Sequence, residues 1–184
     1  MNFETITISG DQFEKHYLIY FVFVKNKRNT YFYIGQTGDR HYMTARPAFR
    51  RLAGHLGDQG WATDNQVYRQ IAVKALGLDA SERRSFSGEI KDKVSNYLSE
   101  SEIEMCYFKV KQFSSSSNRE QHKKNVLEIE KLEKNLIFEF ANDSKLGEFI
   151  LNLKVPSKLS NESEDEKLKR KKISSMMREK FKIS

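Results

Sequence analysis

The tightest constraint in this chain is a pair of short runs, Tyr17-Leu-Ile-Tyr-Phe-Val-Phe-Val24 and Thr30-Tyr-Phe-Tyr-Ile-Gly35, separated only by the polar stretch 25–29. Their β-branched and aromatic side chains favour extended backbone. The first run is so uniformly apolar that it predicts a strand covered on both faces. So short a connection makes an antiparallel hairpin the natural pairing. In the second strand the two-residue period puts Tyr31, Tyr33 and Gly35 on one face.

The rest of the chain supplies layers for that hairpin. Residues 103–110, with Met105, Cys106, Tyr107 and Phe108, predict a third strand. A polar loop follows Gln36. Pro47 suits a first helical turn, Ala48, Leu52 and Leu56 recur at four-residue spacing, and Gly57 stops that helix. Thr63 and Gln66 have capping-box spacing and open a helix over 64–76, closed by Gly77. A weaker helix is expected over 87–98. Ser117 and Glu120 repeat the capping box before a long helix that runs to about Ala141. The fold class is therefore α+β, a small antiparallel three-stranded sheet flanked by helices. The main domain spans 1–156, and a basic, partly helical tail over 157–184 is either docked or loose.

No run approaches the roughly 18 apolar residues of a membrane span. The start, Met1-Asn-Phe-Glu4, lacks the basic and apolar segments of a secretory signal. One cysteine, Cys106, excludes an internal disulfide framework and cysteine-rich zinc sites, so a reducing cytoplasm is the expected location. The formal charge of +7 is compatible with a polyanionic partner, nucleic acid first, and equally with simple solubility.

Three features carry candidate chemistry. On the long helix Val126, Ile129, Leu136 and Phe140 form an apolar stripe, and Glu133 lands on the same face. Such a carboxylate is costly to bury without a cation, a donor or a metal; the plain alternative is a place at the stripe's edge, reaching solvent. Arg51 and His55 lie one turn apart. They suit phosphate gripping and proton transfer, or else form part of a solvated basic face with Arg46 and Arg50. The loop containing Trp61, Asn65 and Gln66 joins two helices. Asn and Gln can pair with adenine edges, whereas Trp61 can simply cap the core.

The order of these pieces resembles the GIY-YIG nuclease superfamily. The matching residues are Leu18-Ile19-Tyr20, Tyr33-Ile34-Gly35, Arg51-Leu52-Ala53-Gly54-His55-Leu56 and Glu133-Lys-Asn-Leu-Ile137. The departures are Leu18 at a glycine position, Gln36 where some members carry lysine, and a long spacing before Arg51. That spacing leaves Arg40, Arg46 or Arg50 open as the functional arginine. Asn142 and Asn152 are both candidates for an asparagine that members often add. Relative to minimal members, residues of about 60–100 look like a helical insertion.

The resemblance implies a metal-dependent DNA endonuclease. One divalent ion, Mg²⁺ or Mn²⁺, would be held by Glu133, phosphate oxygens and waters. Arg51 would neutralise phosphate charge, and Tyr20 or Tyr33, assisted by His55, would activate the attacking water. Gly35 would let the DNA backbone approach, and Gln36, Arg46, Arg50, Trp61, Asn65 and Gln66 would contact nucleic acid. RNA stays open as a substrate, because phosphate chemistry does not separate the two polymers. Leu18 and Gln36 keep a second expectation alive, a catalytically inactive nucleic-acid-binding protein on the same scaffold.

Overall fold

In the computed structural model, which describes residues 5–27, 29–57, 66–78, 88–116 and 118–183, strand β1 (His16–Lys25) lies at the centre of a three-stranded sheet. It pairs antiparallel with β2 (Thr30–Gln36) on one side and with β3 (Glu102–Gln112) on the other. All eight interior residues of β1, Tyr17 through Val24, are buried, as their composition predicts. The β1–β3 register shifts between Tyr17 and Leu18, and the Leu18 N–H is taken by the Thr37 hydroxyl (2.9 Å). Leu18 therefore occupies a bulge, where a substitution for glycine alters strand packing.

Each face of the sheet has its own helical layer. Tyr17, Ile19, Phe21 and Phe23 point to a layer formed by α4 (Arg119–Ala141) and α5 (Glu164–Ile183). Tyr20, Val22 and Val24, with Tyr31 and Tyr33 of β2, point to α2 (Gln66–Gln70) and α3 (Gly88–Ser99), with Leu52 and Leu56 of α1 (Ala48–Leu56) packed against them. The expected helix over 64–76 is α-helical only through Gln70; its next turn, Ile71–Ala75, widens to π geometry. It ends as its glycine predicts: Gly77 takes φ +63°, and the Leu78 N–H reaches back to the Ala72 carbonyl (2.9 Å). The capping residues Thr63 and Ser117, and Ser87, lie outside the described residues. The N-cap of α4 is Asn118, whose side chain accepts from the Gln121 N–H (2.8 Å).

The outer edge of β2 is covered rather than open. Leu151 donates its N–H to the Phe32 carbonyl (2.6 Å), and the Asn152 amide closes on both backbone groups of Ile34 (2.9 and 2.7 Å). The C-terminal segment is docked. Ile173 and Met177 are buried on the α4 layer, and the Phe181 ring packs on Phe32 and Phe23 (centroids 4.8 and 5.2 Å). Much of its positive charge is used internally: Arg170 pairs with Glu139 and Glu162, Arg178 with Asp143, and Lys180 with Glu104. Among the described residues no helix is long and apolar enough to cross a membrane.

Candidate active site

Strand register builds the centre of the site. Tyr20 and Gly35 are direct cross-strand partners on the face that meets α1. A Cβ at position 35 would collide with the Tyr20 hydroxyl and ring. The open face of Gly35 is thus filled by Tyr20, and this corrects the expectation that it leaves room for a DNA backbone. A glycine is needed here so that the phenol can lie across the neighbouring strand.

Helix α1 then delivers two groups to that phenol. Arg51 donates from Nε (3.0 Å) and Nη2 (2.8 Å) to the Tyr20 hydroxyl oxygen, and the same hydroxyl lies 2.7 Å from His55 Nε2. With its oxygen accepting from Arg51, the hydroxyl has its own proton left to give to His55. The Arg51 Nη2 also lies 3.5 Å from His55 Nε2. A guanidinium only donates, so both contacts assign an accepting Nε2 and a protonated Nδ1. His55 has no exposed surface. The solvated basic face allowed by the sequence is therefore replaced by a buried cluster.

Tyr33 and Glu133 join from either side. The Tyr33 ring lies 4.6 Å from that of His55 and 6.4 Å from that of Tyr20, and its hydroxyl donates to the Gln66 side-chain carbonyl at the start of α2. A cavity of about 420 Å³ is lined by Tyr33, Gln66, Glu133, Lys134 and Asn152. Glu133 is half-buried, at the edge of the α4 stripe, and lines this cavity. A second cavity of about 270 Å³ is lined by Gln36, Arg40, Arg46, Arg51, Gln66 and Glu130. Gln66 lines both.

The electrostatics follow from this crowding. Burial pushes the Glu133 carboxyl up to about 8, against the pull of Arg51 and with the Glu130 charge reinforcing the rise. Burial also pushes Tyr20 up to about 12, with Arg51 opposing and Glu133 adding to it. Tyr33 rises well above the ordinary phenol range through burial, Tyr20 and Glu133. Both shifts favour the neutral phenol over the phenolate.

The remaining expected residues divide clearly. Gln36 folds back on the turn that follows β2, donating to the Gly38 carbonyl (3.1 Å) and accepting from its N–H. Arg46 pairs with Asp39 (3.2 Å) on the wall of the smaller cavity. Arg50 is exposed on α1 and lines neither cavity. Asn142 is the C-cap of α4 and donates to the Phe138 carbonyl (2.7 Å), whereas Asn152 borders the Glu133 cavity. Trp61 and Asn65 lie outside the described residues. Arg40, one of the arginines left open, grips Glu130 with both Nε and Nη2; not anticipated were the cations Arg69, Lys134 and Lys154 around the larger cavity. Lys134 had a signal in its adjacency to Glu133; the others are distant in sequence.

Among the described residues no three His, Cys, Asp or Glu side chains gather as a metal-binding group. Among the described residues that line the larger cavity, Glu133 is the one carboxylate. Its carboxyl is costly to ionise where it stands, and a divalent ion in the cavity would remove that cost. Such a site suits a hard cation that keeps most of its waters. In comparisons with known proteins the chain matches no family model, no characterised protein and no solved structure.

Proposed function

We propose that the protein is a metal-dependent endonuclease of the GIY-YIG type, hydrolysing phosphodiester bonds in DNA. The observation that carries this reading is the Tyr20 hydroxyl held between Arg51 and His55, with the Glu133 carboxylate near enough to raise the phenol's pKa. That is a buried acid–base pair with a fixed cation beside it, and Tyr33, whose ring lies against both, borders the cavity that Glu133 lines.

The chain's own groups divide the work as follows. Tyr33 borders the cavity, and because its hydroxyl proton goes to Gln66, its oxygen is left to orient the attacking water. The proton that the water sheds is taken up at His55 Nε2, with the Tyr20 hydroxyl as relay: Tyr20 accepts one proton as it passes its own to the imidazole. Arg51 steadies the negative charge that develops on the phenolic oxygen and on the phosphate. Mg²⁺ or Mn²⁺ bound at Glu133 would supply polarisation of the scissile phosphodiester and charge relief at the departing 3′ oxygen.

The test is incubation of supercoiled plasmid with the protein and Mg²⁺ or Mn²⁺, beside Glu133→Ala. Nicking that disappears in the variant is expected. No nicking with any divalent ion overturns the enzymatic reading, and equal nicking by both proteins identifies a contaminant. The alternative, a scaffold that binds nucleic acid without cutting it, draws on Gln36, whose side chain is tied to Gly38. It predicts retention of a labelled duplex, steeply weakened by salt, with no strand scission.

A further inference from the structure

The segment between β2 and α1, residues 37–46, exposes two large apolar side chains at its tip, Tyr42 at 71% and Met43 at 46% of their full surface. A loop with such a tip usually pays for exposure with mobility, yet this one is held at every step. Asp39 accepts from the backbone N–H groups of His41 (2.9 Å) and Tyr42 (3.2 Å) and donates its own N–H to the Thr44 carbonyl (3.2 Å). The Thr44 N–H returns to the Tyr42 carbonyl (2.7 Å), and Gly38 bridges to the fully buried Ala45. Two ties fasten the loop to α4: His122 Nε2 to the Asp39 carbonyl (2.8 Å), and Arg40 to Glu130.

The stalk of the same loop forms the wall of the smaller cavity, with Arg40, Arg46 and Arg51 facing it. An exposed aromatic ring at the tip of a loop whose stalk carries guanidinium groups suits a single-stranded or unstacked nucleotide, the ring on a base and the cations along its phosphates. Because the loop is already ordered, little freedom is lost on binding.

We propose that the 37–46 loop is a DNA-reading finger, with Tyr42 stacking on a base close to the scissile phosphodiester and Met43 serving as an apolar wedge beside it. This rests on the endonuclease reading for the identity of the polymer. It adds a contact that neither the sequence motif nor the acid–base cluster contains.

The test measures binding of a fluorescent duplex, and of one carrying 2-aminopurine near its centre, to the full chain in EDTA, where no cleavage occurs. Tyr42→Ala should bind about tenfold more weakly, a typical loss for one base–aromatic stack. Tyr42→Phe should stay within about twofold of the parent, because the ring and not the hydroxyl makes the contact. The salt slope should be unchanged in both, since no phosphate contact is removed. The 2-aminopurine signal should rise on binding and fail to rise with Tyr42→Ala.

Equal affinity of parent and Tyr42→Ala overturns the proposal, as does equal weakening by Tyr42→Phe or a melting temperature lowered by Tyr42→Ala. Plasmid nicking is scored separately. Nicking with an insensitive Tyr42 defeats the finger alone, while ring-dependent binding without nicking defeats the hydrolytic reading alone. A parent protein that retains no duplex defeats both.

Discussion

Among the described residues, two buried tyrosine–histidine pairs hydrogen-bond at the same separation on opposite faces of one strand. Tyr20 meets His55 Nε2 at 2.7 Å on the α1 side, and Tyr17 meets His122 Nδ1 at 2.7 Å on the α4 side. The second pair is closed: His122 Nε2 lies 2.8 Å from the Asp39 carbonyl, so it must donate there, and Nδ1 accepts from Tyr17. Both ring nitrogens are committed to holding a helix, a strand and a loop together. Burial raises the Tyr17 pKa, with Asn125 as the counter-influence. The first pair differs in its surroundings. A guanidinium clasps the phenolic oxygen, the Glu133 carboxylate raises its pKa, and the Tyr33 ring lies 6.4 Å away. The comparison teaches that a Tyr–His hydrogen bond is not itself chemistry; on the proposed reading, it is the neighbouring fixed cation and carboxylate that would let the Tyr20 pair carry a proton.

The sharpest way to break this comparison is to remove each hydroxyl in turn. Tyr20→Phe should lower nicking by about 10³-fold, equivalent to about 4 kcal/mol of barrier, because it removes the relay between water and imidazole. Tyr17→Phe removes the same atom from the same strand and should leave the nicking rate within about threefold, while costing about 1 kcal/mol of stability. Plasmid nicking rates and urea midpoints for the two variants decide the matter. Equal losses of activity would mean that the pairs are alike and that the distinction drawn from Arg51 and Glu133 is empty.

The next largest effect concerns the glycine that makes room for only one of the pairs. Gly35→Ala drives a methyl into the Tyr20 ring, which is fully buried and has nowhere to go. Overpacking of this kind should cost about 3 kcal/mol and displace the hydroxyl from Arg51 and His55. The expected result is a lower melting temperature together with lost nicking. Gly38→Ala provides the contrast: its methyl would approach Val126 at 3.0 Å and the Gln36 side chain at 3.1 Å, contacts that flexible side chains relieve with small shifts. Normal melting of Gly35→Ala would show that Tyr20 does not rest on the β2 backbone.

Much of the Tyr20–His55 half of this comparison was legible in the sequence, and the reason is local periodicity. The alternation in β1 and β2 fixes which tyrosines share a face with Gly35, and one helical turn places His55 beside Arg51. Glu133 announced itself by falling on an apolar stripe, although periodicity could not say whether it faced solvent or a cavity. What stayed hidden depends on long-range registry. Arg40 and Glu130 are 90 residues apart, Asn152 pairs with Ile34 across 118, and no spacing rule relates either pair. Nor could the sequence separate Tyr17–His122 from Tyr20–His55, since each joins a strand tyrosine to a distant helical histidine. The π turn at Ile71 was also unreadable, because an apolar stripe of that length fits an ordinary helix equally well.

The smallest effect sharpens the comparison through pH. Glu133 influences Tyr20, whereas no carboxylate is among the influences on Tyr17, so the two faces of β1 should titrate differently. In the unfolded chain the Glu133 carboxyl ionises near its ordinary value of 4.5, and in the folded protein near 8. Between these values the native state binds more protons than the unfolded state, so stability falls as pH rises. The contribution is complete below about 4.5 and is lost through about 8. Because the carboxyl opens onto a cavity, the loss should be about 2 kcal/mol, or roughly 4–8 °C in melting temperature. Glu133→Gln has no charge to bury there, so in EDTA its melting temperature should decline less than the parent's from pH 5 to pH 9. Mg²⁺ should restore the parent at the alkaline end and leave the variant unmoved, since the ion acts through the ionised carboxylate. Identical pH profiles for the two proteins would show that this carboxyl is ionised and solvated throughout, and the active face would then lose the buried charge that sets it apart from the closed one.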